Sequence, residues 1–168
     1  MTSAGLLSDA FGRIREAVHG VVDGLTLDDL AYRVDAGANS IGWLVWHLTR
    51  IQDDHLAEVA GRPQVWTAQR WCQRFDLPFD PSATGYGHSD EEVAAVRVTG
   101  DLLTGYHDAV CEETIDYVGT LTDADLPRIV DRRWDPPVTL GVRLVSVIAD
   151  DLQHAGQAAF IRGILRRH

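Results

Sequence analysis

The sequence predicts an all-α fold, a four-helix bundle with long crossover connections. Four long segments repeat apolar residues with the period of an amphipathic helix, and helix-starting and helix-stopping residues separate them. Some of the connections are long and rich in Pro and Gly, which favours crossovers over tight hairpins. With 168 residues and 45% apolar content the chain can form one sizeable core, so we expect a single domain over residues 1–168.

The first predicted helix covers residues 6–24. One face of this segment is apolar and carries Leu7, Phe11, Ile14, Val18 and Val22. Thr26 then caps a short turn with the sequence LDDL.

The second predicted helix begins at Asn39 or Ser40, whose side chains accept hydrogen bonds from free backbone N–H groups. It carries His47 and ends at Gly61 and Pro63. An aromatic connection over residues 63–87 follows, with Trp66, Trp71, Phe75 and Phe79. Its prolines and glycines exclude a continuous helix, and we expect it to fold over one end of the bundle.

The third predicted helix opens with a capping box, Ser89 and Glu92, and continues to about Val118. Thr122 and Asp125 repeat this signature and predict a shorter piece. The prolines of RRWDPPV predict an extended segment, after which Thr139 starts the last helix, LGVRLVSVIADDLQHAGQAAFIRGIL.

Charge and hydropathy exclude two classes of partner. The formal net charge is −10, and the 15 basic residues, all arginine, are scattered, so we expect no nucleic-acid partner. No apolar run reaches the ~18 residues of a membrane span, which predicts no membrane insertion and a cytoplasmic location. The two cysteines form no Cys-x-x-Cys pair, so a thiolate zinc site is not indicated.

A metal site is indicated by Asp150 and His154 in the last helix. They are four positions apart and project from one face, within the apolar stripe that includes Val147, Ala158 and Ile161. Because a buried carboxylate is costly unless its charge is compensated, a divalent cation between them would explain the pattern. The alternative is a hydrogen-bonded core pair without metal.

A third ligand has to come from another helix, and His47 fits because it lies among apolar residues of the second helix. Asp54 and His55 are more than about 10 Å of helical rise from it, and we place them at the edge of the site. Asp151 is expected to be solvated or to support the ligands. Two imidazoles and one carboxylate suit Zn, our first choice, or Ni or Fe.

At these residues the sequence resembles the DinB-like superfamily, in the branch that contains mycothiol-dependent enzymes. The motifs are NSIGWLVWHL with His47, DDLQHAGQAAFIRG with Asp150 and His154, and GYGHSDEE before the third helix. The resemblance covers nearly the whole chain. It implies a four-helix bundle with His47, Asp150 and His154 as metal ligands. Relatives often have Glu or His in place of Asp150, and some read HAGH where Gln157 stands here, so Gln157 is expected to line the site.

The same resemblance implies a thiol S-transferase that activates a low-molecular-weight thiol, with mycothiol as the expected one, for attack on an electrophilic small molecule in detoxification. The expected thiol-binding residues are Trp43, Arg50, Asp54, His55 and Gln157, with Trp46 and the loop from Trp66 to Phe79 as further candidates. No residue is assigned as a general base. The roles of His55, His88 and His107 stay open, although His88 is expected in an exposed loop.

Other functions remain possible at this point. Bound water could replace the thiol, which would give a metal-dependent hydrolase. The protein could also be a non-catalytic metal-binding stress-response protein, and a homodimer is possible in each case. Related maleylpyruvate isomerases carry an additional C-terminal domain, whereas here Arg166-Arg167-His168 follow the last helix, so isomerisation is the less expected activity.

Overall fold

Four long helices form the body of the molecule in a computed structural model that describes residues 2–167. They are α1 (Ser3–Val22), α3 (Ile41–Ala60), α7 (Gly100–Gly119) and α8 (Leu140–Leu165). The shorter elements are α2 (Leu27–Ala31), α4 (Val65–Ala68), α5 (Trp71–Phe75), α6 (Asp90–Ala95), β1 (Ile129–Asp131) and β2 (Val138–Thr139). The predicted four-helix bundle is confirmed, with one small β-hairpin in addition. No helix within residues 2–167 is both long and apolar enough to cross a membrane.

Along the chain the long helices follow in the order α1, α3, α7 and α8. Two of these consecutive pairs, α1–α3 and α7–α8, lie diagonally opposite each other in the bundle. Both α1 and α3 pack against α7 and α8, whereas α1 and α3 hardly touch each other. The helices α3 and α7 run parallel, since Thr49 hydrogen-bonds to His107 near the middle of both helices and the Tyr117 hydroxyl donates to the Val59 carbonyl oxygen near their ends. Parallel neighbours need a connection long enough to return along the bundle, which explains the long segment between them.

The ends of α3 and α8 follow the local capping chemistry that the sequence predicts. Ser40 accepts a hydrogen bond of 3.1 Å from the backbone N–H of Trp43, and Thr139 accepts one of 3.3 Å from Val142. Gly61 ends α3 in the left-handed conformation, with φ of +65°. These caps fix the starting points of the two helices that carry the predicted metal ligands.

The third predicted helix is interrupted, and one continuous helix from Ser89 to Val118 is wrong. The Ser89–Glu92 capping box is present, but it opens only α6, and α7 starts at Gly100. Val96 and Val98 lie between these two helices, and both are buried. The backbone there is extended, so alternate residues face the core at a corner of the bundle. Gly100 also packs so closely that an added Cβ would lie 2.9 Å from Val22 Cγ1.

The segment between α7 and α8 differs from the prediction in two places. Thr122 and Asp125 form the expected side-chain bonds, yet they close a turn and not a helix. The proline-rich segment 132–138 is mainly the loop of the hairpin, in which Ile129 pairs with Thr139 and Asp131 with Val138. Proline at the hairpin loop is compatible with this arrangement because it lacks the N–H that a strand needs.

The aromatic connection packs along the side of the bundle and not over its end. Trp66, Trp71 and Phe75 surround Tyr106 of α7, with ring centroids 5.0 to 5.8 Å from it. All four rings are buried. The connection therefore completes the core beside α3 and α7, and its tryptophans serve packing.

Candidate metal centre

The antiparallel packing of α3 and α8 brings His47, Asp150 and His154 together. One potential ligand atom from each residue lies within 4.8 Å of the others. The imidazole rings of His47 and His154 are 4.9 Å apart between centroids, and His154 Nε2 is 3.6 Å from Asp150 Oδ1. Small adjustments of these side chains would bring all three to bonding distance of one ion.

Each histidine is oriented by a hydrogen bond from its other ring nitrogen. His47 Nδ1 donates to the carbonyl oxygen of Thr84 at 2.6 Å, and His154 Nδ1 donates to Gln157 Oε1 at 3.0 Å. Because both partners are acceptors, Nδ1 of each ring carries a proton, which leaves Nε2 as the atom that can bind a metal ion. Metal-binding histidines commonly have this arrangement. The Gln157 side chain is exposed, and its hydrogen bond to His154 fixes the orientation of the His154 ring.

The environment of His47 favours the neutral form of its imidazole. Burial lowers the pKa of His47, an effect that the bond to Thr84 opposes. Trp43 stacks on the ring at 4.6 Å between centroids, with an angle of 14° between the planes. Trp43 is itself buried, and it presents its edge to His154. A neutral, immobilised imidazole is the form that a metal ion requires.

The buried acid of α8 is Asp151 and not Asp150. Asp151 is 0% exposed, which corrects the expectation that it could be solvated, while the Asp150 side chain is 39% exposed. Burial raises the pKa of Asp151 well above its usual value. The helix packs against both α1 and α3, so its buried face is centred on Val147, Asp151 and Ala155, and the metal-site residues lie at its edge.

Asp150 still has a feature that fits a cation. Its Oδ2 atom is buried and has no hydrogen-bond partner within the part of the chain that the structure describes. An orphaned carboxylate oxygen beside two imidazoles suits a divalent ion, because the ion would supply the missing partner. The three residues therefore fit a divalent metal with open coordination positions.

Arg50 does not lie at a ligand-binding surface, which corrects the prediction that it binds the thiol. Its side chain is fully buried and bonds to the Ala83 carbonyl oxygen at 3.1 Å and to Gln64 Oε1 at 3.0 Å. It also lies 3.6 Å from Asp53 Oδ2, and its guanidinium is over the Trp66 ring. Arg50 holds the long connection against α3. The buried Trp66 likewise packs in the core and does not line the entrance to the site.

The other predicted edge residues have separate environments. Asp54 is half-buried and accepts a hydrogen bond of 2.6 Å from Gln64 Nε2. His55 is half-buried beside Arg143, whose Nη1 is 2.9 Å from His55 Nδ1. Burial and the Arg143 charge lower the pKa of His55. His107 is fully buried at Thr49, and burial lowers its pKa to about 4, so it belongs to the core.

The loop that precedes α6 contributes more to the site than its sequence suggests. His88, expected in an exposed loop, is half-buried and accepts a hydrogen bond of 3.2 Å from Trp43 Nε1. Its ring also stacks on the buried Trp46 at 5.6 Å. Sequence reasoning missed the backbone role of Thr84 and Gly85 here, although the glycines of GYGHS mark a loop that needs unusual backbone angles.

Gly85 is required where this loop passes over His47. Its φ is +94°, and an added Cβ would lie 2.7 Å from His47 Nδ1 and 3.0 Å from the Trp46 ring. We expect Gly85→Ala to weaken zinc binding at least about tenfold, because the His47 ring and its bond to Thr84 must shift. Zinc competition with a chromophoric chelator measures this.

Gly87→Ala is the matched control for that prediction. Gly87 also has a positive φ, +76°, but an added Cβ meets nothing within 4 Å. The Gly87→Ala variant should have a lower free energy of unfolding because of backbone strain, while its zinc affinity stays unchanged. Equal losses of affinity in the two variants would contradict the role given to Gly85.

Comparison with known proteins identifies the family and the fold. A family model described as mycothiol-S-transferase matches residues 6–167. A solved structure titled "conserved protein of locus" from Enterococcus faecalis superposes with a TM-score of 0.90 at 30% identity, covering 96% of this chain and 96% of that chain. Among curated proteins there is no significant match. Because the family model spans nearly all of the bundle, including both helices of the candidate site, the chain belongs to the mycothiol-S-transferase family.

Proposed function

We propose that this protein is a metal-dependent thiol S-transferase that joins mycothiol to an electrophilic small molecule. The observation that carries the proposal is the convergence of His47, Asp150 and His154 within 4.8 Å in a chain of this family. Zn²⁺ is our first choice for the ion, with Ni²⁺ or Fe²⁺ as alternatives. The partners are then a small-molecule thiol and its electrophile.

The chemistry requires a thiolate at neutral pH. A divalent ion next to a thiol stabilises its ionised form, whose pKa is otherwise about 8.5. The protein's own contribution is to fix the orientation of the two imidazoles through Thr84 and Gln157, so that their Nε2 atoms face one point. Trp43 limits water on one side of His47 by stacking on it. The thiol proton leaves to solvent, and no side chain is assigned as its acceptor.

Thiol transfer is tested with monochlorobimane, whose conjugation to a thiol is fluorescent. Zinc-loaded protein should accelerate conjugation of mycothiol, and protein treated with a chelator should lose the activity and regain it when zinc is restored. Turnover of an ester or amide substrate without any thiol would favour the hydrolase instead. Absence of both activities in zinc-loaded protein would favour a non-catalytic metal-binding protein.

A homodimer stays a prediction. The outer face of α8 carries exposed apolar side chains that could support association, namely Val142, Val145, Leu152 and Phe160. Light scattering after size-exclusion chromatography measures the mass directly.

A further inference from the structure

A cleft lies on the same pair of helices as the candidate metal centre. Its volume is about 590 Å³, large enough for a small-molecule ligand, and its lining comes from α3, α8, β1, the hairpin loop and the loop before α6. The lining residues are His55, Tyr86, Asp131, Arg133, Trp134 and Arg143. The metal site uses none of them as a ligand.

The cleft is close to the metal site along the same pair of helices. His55 is eight positions after His47 on α3, and Arg143 is seven positions before Asp150 on α8. Because α3 and α8 are antiparallel, both shifts point in one direction, and each corresponds to roughly 10 to 12 Å of helical rise. Tyr86 directly follows Gly85, which touches His47. A ligand that extends from the metal site along this direction enters the cleft.

The polar wall of the cleft is held in place by a buried carboxylate. Asp131, with only 4% of its side chain exposed, accepts a hydrogen bond of 2.8 Å from Arg133 and one of 3.1 Å from Arg143. The Arg133 bonds keep the pKa of Asp131 below its usual range. Arg143 Nε is buried and has no partner among residues 2–167. The wall thus offers arginine donors that Asp131 holds in place, with one net positive charge from two arginines and one aspartate.

The remaining surface of the cleft is aromatic and uncovered. Trp134 is 66% exposed and Tyr86 is 91% exposed, although both are large side chains that gain from being covered. Flat aromatic faces beside arginine donors suit a polyhydroxylated ring, whose C–H face packs on the aromatic ring while its hydroxyls accept hydrogen bonds from arginine. A purely apolar ligand would leave the arginine donors without partners.

We propose that this cleft binds the sugar end of the thiol co-substrate. The inference rests on the proposed function, in which the sulfur of mycothiol lies at the metal centre. The two rings of mycothiol begin one amide linkage beyond its cysteinyl part, so they extend away from the sulfur toward Tyr86 and Trp134. A small electrophile that reacts at the sulfur remains beside the ion and does not reach the cleft. The cleft therefore selects the thiol, while the metal centre activates it.

The test uses the thiol-free fragment glucosaminyl-inositol, titrated into the full-length protein by calorimetry. Wild type should bind the fragment, Trp134→Ala should bind it at least about fivefold more weakly, and Trp134→Phe should retain most of the affinity because a flat ring remains. Leu6→Ala is the control, since Leu6 is 59% exposed and does not line the cleft. Absence of binding to wild type, or equal binding by Trp134→Ala, would overturn the proposal.

A kinetic readout separates this proposal from the proposed function. In bimane conjugation Trp134→Ala should raise the KM for mycothiol at least about fivefold and leave kcat/KM for N-acetylcysteine, which has no sugar, unchanged. An equal loss with both thiols would contradict a sugar site. If wild type binds the fragment in the Trp134-dependent manner but transfers no thiol, the transferase proposal fails and the sugar-binding cleft stands.

Discussion

Replacing His154 with alanine should lower zinc affinity at least about 100-fold and remove thiol transfer. The change deletes one of three ligands, and the ion would keep only His47 and Asp150 from the protein. The variant should still fold, because the His154 side chain lies at the edge of the buried face and is not part of the hydrophobic core. Chelator competition measures the affinity, and the bimane reaction measures the activity.

The control for this variant is His19→Ala. His19 is half exposed on α1 and pairs with Asp108 at 2.8 Å, away from the candidate metal centre. The zinc affinity of His19→Ala should equal that of wild type. If His154→Ala retained wild-type affinity, or if the two variants lost affinity equally, the ligand assignment would be wrong.

Replacing Asp53 with alanine should reduce the free energy of unfolding by about 3 kcal/mol or more, as expected when one partner of a buried ion pair is removed. Asp53 accepts hydrogen bonds from the backbone N–H groups of Val65 at 2.8 Å and Trp66 at 2.7 Å, and from the Tyr106 hydroxyl at 2.7 Å. It is also the buried counter-charge of Arg50. Its loss leaves the two backbone N–H groups and the Tyr106 hydroxyl without their acceptor, and the buried Arg50 without its counter-charge.

Chemical denaturation followed by circular dichroism measures the loss. Asp9→Ala provides the comparison, because it also removes an aspartate from an arginine pair, but the Asp9–Arg13 pair is on the surface. A surface pair contributes little, so this variant should unfold almost as wild type does. Similar stability of Asp53→Ala and wild type would mean that the network does not hold the connection.

The helices and the ligands could be predicted from the sequence to the extent that they depend on local chemistry. Ser40 and Thr139 are caps that act on neighbouring N–H groups, so their positions hold in the structure. The break at Val96 was not predictable in this way, because it depends on packing between Gly100 and Val22, which are distant in sequence.

The same limit explains the errors at the site. Periodicity alone placed Asp150 in the apolar stripe, but the face of α8 that is buried depends on its two neighbours, and it is Asp151 that they cover. Arginine is a residue type that often binds ligands. Only the tertiary fold of the long connection places Gln64 and Ala83 around Arg50. The hairpin cleft around Trp134 likewise arises from tertiary contacts.

The central claim is tested most directly by a crystal structure of zinc-loaded protein with anomalous data collected at the zinc edge. The account predicts one strong peak at about 2.0 to 2.2 Å from Nε2 of His47, Nε2 of His154 and an oxygen of Asp150. A peak elsewhere with none between α3 and α8, or a His47 ring turned away from an ion bound to α8 alone, would contradict it.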